Sequence, residues 1–140
     1  MKLRHYWLLA VAVLLAGWAI WRGVQPSLPP PKMLVCPDLH QGCSDEQNDV
    51  QIRFVGTPRN MQPFGVVVTV RKASAVFASF AMQGMEMGLN RYRLLRQPDG
   101  TWAAEVMLPV CVQGRSDWLM ELEVIEPDGA QRYQLAFRAN

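Results

Sequence analysis

Histidine is nearly missing from this chain: 140 residues hold two, His5 and His40. His5 lies beside an N-terminal apolar run, so the remainder has a single imidazole, which excludes a multi-histidine catalytic metal centre. Serine is present but never in the setting a nucleophile needs, since Ser27, Ser44, Ser74, Ser79 and Ser116 all lack a nucleophile-elbow motif. Gly84 and Gly88 do not open a helix after a strand at phosphate-binding spacing, which sets aside a nucleotide site. Positive charge is also scarce. Once Lys2, Arg4 and Arg22 are assigned to the N-terminal run, eleven basic residues face twelve acidic ones, so no basic face for nucleic acid is implied. There is no internal repeat, no low-complexity tract and, beyond the first 25 residues, no helical period. These absences point away from an enzyme.

What the sequence does hold begins with Tyr6 to Trp21, sixteen residues without a charge, flanked by Lys2 and Arg4 before and Arg22 after. A spanning helix needs about 20 residues, a length reached with Gly23 and Val24 behind a snorkelling Arg22. Trp7 on one side and Trp18 and Trp21 on the other suit the interfacial aromatic belts, and the excess of Lys2 and Arg4 places the N-terminus in the cytoplasm. The competing reading is a cleaved signal peptide, because Gly17-Trp18-Ala19 supplies small residues, but the apolar run continues through Ile20 and Trp21. Trp18 follows Leu14-Leu15-Ala16-Gly17 where a lipidated cysteine would be needed, which argues against a lipoprotein. Residues 1–24 are therefore expected to be an uncleaved single-pass anchor in the inner (cytoplasmic) membrane. Residues 25–35, which include QPSLPPPK, form a proline-rich stalk that resists helix and sheet. Residues 36–140 follow as one domain in the periplasm or outside.

Period-two alternation gives the fold. Val50, Ile52 and Phe54 alternate with polar neighbours; Phe64 to Lys72 is apolar on both faces; Ala75 to Gln83 and Arg91 to Leu94 follow. Trp102, Ala104, Val106 and Leu108 come after a Pro98-Asp99-Gly100 turn. Trp118, Met120, Leu122 and Val124 alternate with Glu121 and Glu123, and Pro127-Asp128-Gly129 leads to Tyr133, Leu135 and Phe137. Seven short strands with two Pro-Asp-Gly turns predict an all-β, immunoglobulin-like antiparallel sandwich. Arg91 and Arg93, with Arg96 nearby, read most simply as an exposed strand face, with a partner contact as the alternative.

Sulfur carries the functional signal. Met82-Gln83-Gly84-Met85-Glu86-Met87-Gly88 puts three thioethers and two glycines into seven residues. Thioethers are soft ligands suited to Cu(I), while methionine is also a filler of irregular core gaps. Met82 continues the inward row of Val76, Ala78 and Phe80, whereas Met85 and Met87 lie in a glycine-bracketed loop with Glu86 between them. The expected metal ligands are Met85 and Met87, with Met82 or a thiol as third. Cys36, Cys43 and Cys111 allow one intramolecular disulfide in any of three pairings and leave one sulfur over, and His40 lies inside CPDLHQGC. The spacing matches neither a two-residue redox pair nor a zinc knuckle.

FAMQGMEMGLNRYRL at 80 to 94, DGTW at 99 to 102 and LPVCVQGRSDWLMELEV at 108 to 124 together resemble the YtkA-like and FixH-related membrane-anchored β-sandwich proteins, over residues 50 to 138. The matching elements are Gly84-Met85-Glu86-Met87, Trp102 and Gly114-Arg115-Ser116-Asp117-Trp118; the three cysteines are a departure from the pattern. The resemblance implies an immunoglobulin-like fold, copper as Cu(I), and a role in copper handling or respiratory oxidase assembly beside an oxidase subunit or a copper transporter. The alternative is a metal-free scaffold or assembly factor docking onto a membrane complex, and thiol oxidoreduction through Cys36 and Cys43 comes third. The mature protein is expected to start at Met1 and to stay in the membrane at high salt. N-terminal sequencing that begins at Ile20 would overturn this.

Overall fold

The computed structural model describes residues 2–23, 28–45, 47, 49–85, 90–110 and 114–139, with side chains 2–10, 19 and 20 set aside. Among these residues there is one helix, α1 (Lys2–Gly23), and nine strands: β1 (Lys32–Leu34), β2 (Cys43–Asp45), β3 (Val50–Val55), β4 (Pro63–Thr69), β5 (Ala75–Met82), β6 (Arg91–Arg96), β7 (Trp102–Met107), β8 (Asp117–Glu126) and β9 (Gly129–Arg138). The chain is thus mostly β, and the strands form one sheet in the order β1-β9-β8-β5-β6-β7-β4-β3-β2. The sheet curls until it is nearly closed and barrel-like, bringing its two end strands together, where Lys32 Nζ stands 3.7 Å from Asp45 Oδ2.

Alternation explains the strands and which face they bury. Val76, Ala78, Phe80 and Met82 of β5 point inward, as do Trp118, Met120, Leu122 and Val124 of β8, and the residues between them are half-buried. β6 is the joint between the two halves. Arg91 to Leu94 pair with Ser79 to Val76 of β5, after which Leu95 and Arg96 pair with Ala103 and Trp102 of β7. Where β6 and β7 diverge, the Tyr92 hydroxyl stands in for the ladder: it donates to Met107 O at 2.9 Å and accepts from Met107 N–H at 3.2 Å. Both Pro-Asp-Gly sequences are turns, and Gly100 adopts φ +88°, a conformation costly for any residue with a Cβ.

Two strands lie outside the seven expected. β1 pairs in parallel with β9, Lys32 opposite Tyr133 and Leu34 opposite Leu135, and so falls inside the segment expected to be a stalk. The physical reason is that the prolines supply no N–H, and Lys32 is the first residue after them that can join a ladder. β2 pairs with β3 through Cys43 and Ile52. Beside it Tyr133 is almost fully buried and donates to Gln131 Oε1 at 2.6 Å. Its phenol is pushed up to about 12, first by burial and then by the charges of Asp45 and Glu126.

On the outer face, charges pair across strands. Arg91 donates to Glu123 at 2.6 Å with its guanidinium 4.2 Å from the Phe77 ring centroid, and Arg132 donates twice to Glu121 Oε1, at 2.7 and 3.0 Å. Helix α1 stands apart from the sheet. Its described side chains 11–18 and 21–23 are all exposed, Leu14 at 72% and Trp21 at 68%, and among the described residues no helix is long and apolar enough to cross a membrane.

The interior is knitted by a ring cluster that spans both halves. Phe80 lies 6.1 Å from Phe64, 6.1 Å from Tyr92 and 6.2 Å from Phe137, while Phe54 lies 5.2 Å from both Phe64 and Phe137, mostly edge to face. Phe80→Ala should cost about 3–5 kcal/mol in urea unfolding, because it leaves a cavity among rings from β4, β6 and β9. Phe77→Ala on the outer face should cost well under half of that, and equal costs would refute this account of the core.

Candidate functional site

The barrel has two ends. At one end β3, β5 and β7 finish at Val55, Met82 and Met107, and β4, β6 and β8 begin at Pro63, Arg91 and Asp117. The chain enters from the other end. β1 runs parallel to β9, so tracing it backwards leads toward the start of β9, and there Pro29 O accepts from Arg132 Nη1 at 3.4 Å. The loops expected to carry sulfur chemistry leave the end remote from that entry.

Met82, Gln83, Gly84 and Met85 make one tight turn in which Met85 N–H donates to Met82 O at 3.1 Å and Gly84 has φ +74°. A positive φ at the third position is the type II geometry, and it selects glycine. A Cβ at Gly84 would meet nothing within 4 Å, so the requirement there is conformational rather than spatial. Met82 is 2% exposed and lies opposite Trp118, which places it in the core and not in a ligand shell open to solvent; its position on the inward row of β5 is the reason. Met85 is half-buried and packs on the core edge. Met87 and Cys111 lie outside the described residues.

The turn is held from a distance in sequence. Arg115 donates through Nη2 to Gln83 O at 3.0 Å and grips Asp117 through both Nε and Nη2. This contact locks the Met82–Met85 turn to the start of β8, a bidentate geometry that suits guanidinium. Beneath it the indole Nε1 of Trp118 is buried without a hydrogen-bond acceptor among the described residues.

Cys36 and Cys43 are disulfide-bonded with Cα atoms 5.2 Å apart. The enclosed loop docks on β3, where Leu39 O accepts from Phe54 N–H at 2.8 Å, and Gly42 at φ +101° runs so close to β3 that a Cβ would meet Ile52 O at 3.1 Å. Closure of a loop this short contributes roughly 2–3 kcal/mol in the chain-entropy account. His40 is exposed, its N–H donating to Asp38 Oδ1 at 2.8 Å in a local turn. Among the described residues no three His, Cys, Asp or Glu side chains are grouped to hold a metal. At the entry end a cleft of about 290 Å³ is lined by Asp49, Arg71, Lys72 and Glu126, but the Arg71–Asp49 pair at 2.7 Å leaves it no single sign of charge.

Sequence reasoning named Arg115 only as part of the Gly114 to Trp118 match and gave it no structural role, and it passed over the thioethers Met61 and Met107, which are 58% and 43% exposed. Arg115 carried no local signal because its partner carbonyl is 32 positions away. Met107 simply continues the outward side of an alternation, and Met61 sits in a turn between Pro58 and Pro63.

The hydrogen bond from Arg115 is the leading reason that the Asp117 carboxyl is held below its ordinary 3.8. The stabilisation it carries is present above that ordinary value and is lost as pH falls through the lowered one. Arg115→Gln should return Asp117 toward 3.8 in an NMR titration and broaden the Gly84 amide signal as the turn loosens. An unmoved Asp117 titration would show that the grip is not formed in solution.

No family model matches this chain, and no curated protein does. A crystal structure of an engineered protein from a structural genomics consortium is similar over 65% of this chain and 20% of that one, with 17% identity and a TM-score of 0.48. The chain thus spans one fifth of that protein.

Proposed function

We infer that this chain is a membrane-tethered copper-handling module. In this reading α1 anchors it in the inner membrane with the N-terminus in the cytoplasm, and the β domain stands on the extracytoplasmic side. Cu(I) is taken by thioethers of the Met85–Met87 loop and passed to an oxidase subunit or a copper transporter, as in the YtkA-like and FixH-related proteins that the sequence resembles. The observation that carries the reading is the separation of ends: the chain enters beside Arg132, and the methionine turn leaves from the opposite rim. A half-buried soft ligand at Met85, far from the tether, suits exchange with an acceptor. What supports the anchor is that Val13, Leu14, Leu15, Trp18 and Trp21 of α1 are exposed rather than packed on the sheet.

The immunoglobulin-like reading belongs to the same proposal. Its support is the strand order: β3, β4 and β7 in one half, β5, β8 and β9 in the other, and β6 shared between them. Strands A, B, E and D of an immunoglobulin-like domain would stand against C, F and G in this way.

The burial of Met82 and the half-burial of Met85 favour a second reading, a metal-free assembly factor whose methionine turn is an adaptable apolar contact. Cu(I) titration of the full chain in detergent under reducing conditions separates the two. Met85→Leu with Met87→Leu should remove one bound equivalent while leaving the unfolding midpoint in place. An unchanged stoichiometry would discard the loop as a copper site, and oxidase co-purification that survives the double substitution would favour the assembly factor.

A further inference from the structure

The two halves of the sheet carry different outer faces. Over β5, β8 and β9, acids and bases are matched within the chain, Arg91 with Glu123 and Arg132 with Glu121. Over β3, β4, β7 and β6 they are not. Here ladder register sets two outward rows side by side: Val55, Gly65 and Glu105 in one, and Arg53, Val67, Ala103 and Leu95 in the next. Leu95 is 64% exposed and Val55 48%, so the patch is apolar at two corners, and its middle is made of small or β-branched residues. A Cβ at Gly65 would meet the Val55 Cβ at 3.1 Å, so Val55 fills the place a side chain would take and the surface stays level. Glycine inside a strand weakens it and marks a place where another backbone comes close.

The charges on this face are one of each sign. No salt bridge among the described residues includes Arg53 or Glu105. The charge of Arg53 does reach Asp99, whose carboxyl is lowered first by the Thr101 hydroxyl and least by Arg53. Arg53 lies on β3 and Glu105 on β7, with β4 between them. A face of this kind is complementary to itself, because a two-fold axis along β4 sets β3 of one copy over β7 of the other. Arg53 and the opposing Glu105 are then one row apart, about 7 Å along the strand, a step that two long side chains cover. The second Arg53–Glu105 contact follows by symmetry.

We propose that this chain forms a two-fold dimer through the outer face of β3, β4, β7 and β6, with two reciprocal Arg53–Glu105 ion pairs around an apolar centre. The Met82–Met85 turn leaves from β5, in the other half, and lies outside the paired face. The dimer therefore stands or falls independently of the copper reading.

Sedimentation of the full chain in density-matched detergent, over a range of protein concentrations, measures the association. Arg53→Glu and Glu105→Arg should each weaken the dimer about tenfold or more, since symmetry brings like charges together twice. The double reversal should restore it to near the original affinity, which neither a folding defect nor a general loss of solubility would do. Leu95→Glu, at an exposed position, should weaken it as well while leaving the urea unfolding midpoint in place. A wild-type chain that stays monomeric throughout would overturn the proposal. So would a dimer indifferent to the single reversals, which would put the contact on α1 or another face, and so would a double reversal that fails to recover the loss.

Discussion

The structure depends on one apolar contact, the meeting of rings from both halves of the curled sheet around Phe80. Hydrogen-bonded ladders hold neighbouring strands, but they are satisfied equally well in a flat sheet and so do not make it curl. Curling has a net gain only if inward side chains from distant strands remove one another from water. Phe54, Phe64, Phe80, Tyr92 and Phe137 come from β3, β4, β5, β6 and β9, and their edge-to-face contacts tie strands that share no ladder, β3 with β9 above all. The switch of β6 from β5 to β7 follows from this constraint. One strand must leave one half and join the other for the sheet to remain continuous around the rings, and the Tyr92 hydroxyl fills the gap that the departure opens.

Much of this was legible from residues because burial leaves a period. The rows Val76–Ala78–Phe80–Met82 and Trp118–Met120–Leu122–Val124 mark the inward side by their apolar period alone, and they put Met82 in the core row. β1 and β2 were not legible, because three residues carry no period, and what recruits them is the exposed edge of β9 or β3 rather than their own composition. The closing of the sheet was not legible either, since alternation states which face is apolar and nothing about which strand lies opposite.

The same limit separates the parts of the candidate site. A glycine-bracketed methionine run is visible as a string, and Gly84 does take the left-handed conformation that a turn requires. The guanidinium that fixes this turn comes from Arg115, and an Arg-Ser-Asp sequence does not announce that its first residue reaches back to a carbonyl at Gln83.

Geometry along the strands bears on how such a module would work. β9 has ten residues, and at about 3.3 Å each it separates the two ends of the barrel by roughly 30 Å. Arg132 receives the incoming chain near one end of that strand, and Arg138 lies opposite Asp117 beside the sulfur end. Within the copper proposal, a strand of that length keeps the Met82–Met85 turn away from the end at which the chain enters. The parallel pairing of β1 with β9 and the ring core tie the entry end to the Met82–Met85 end, so ladders and rings together, rather than the loops, set the distance between them.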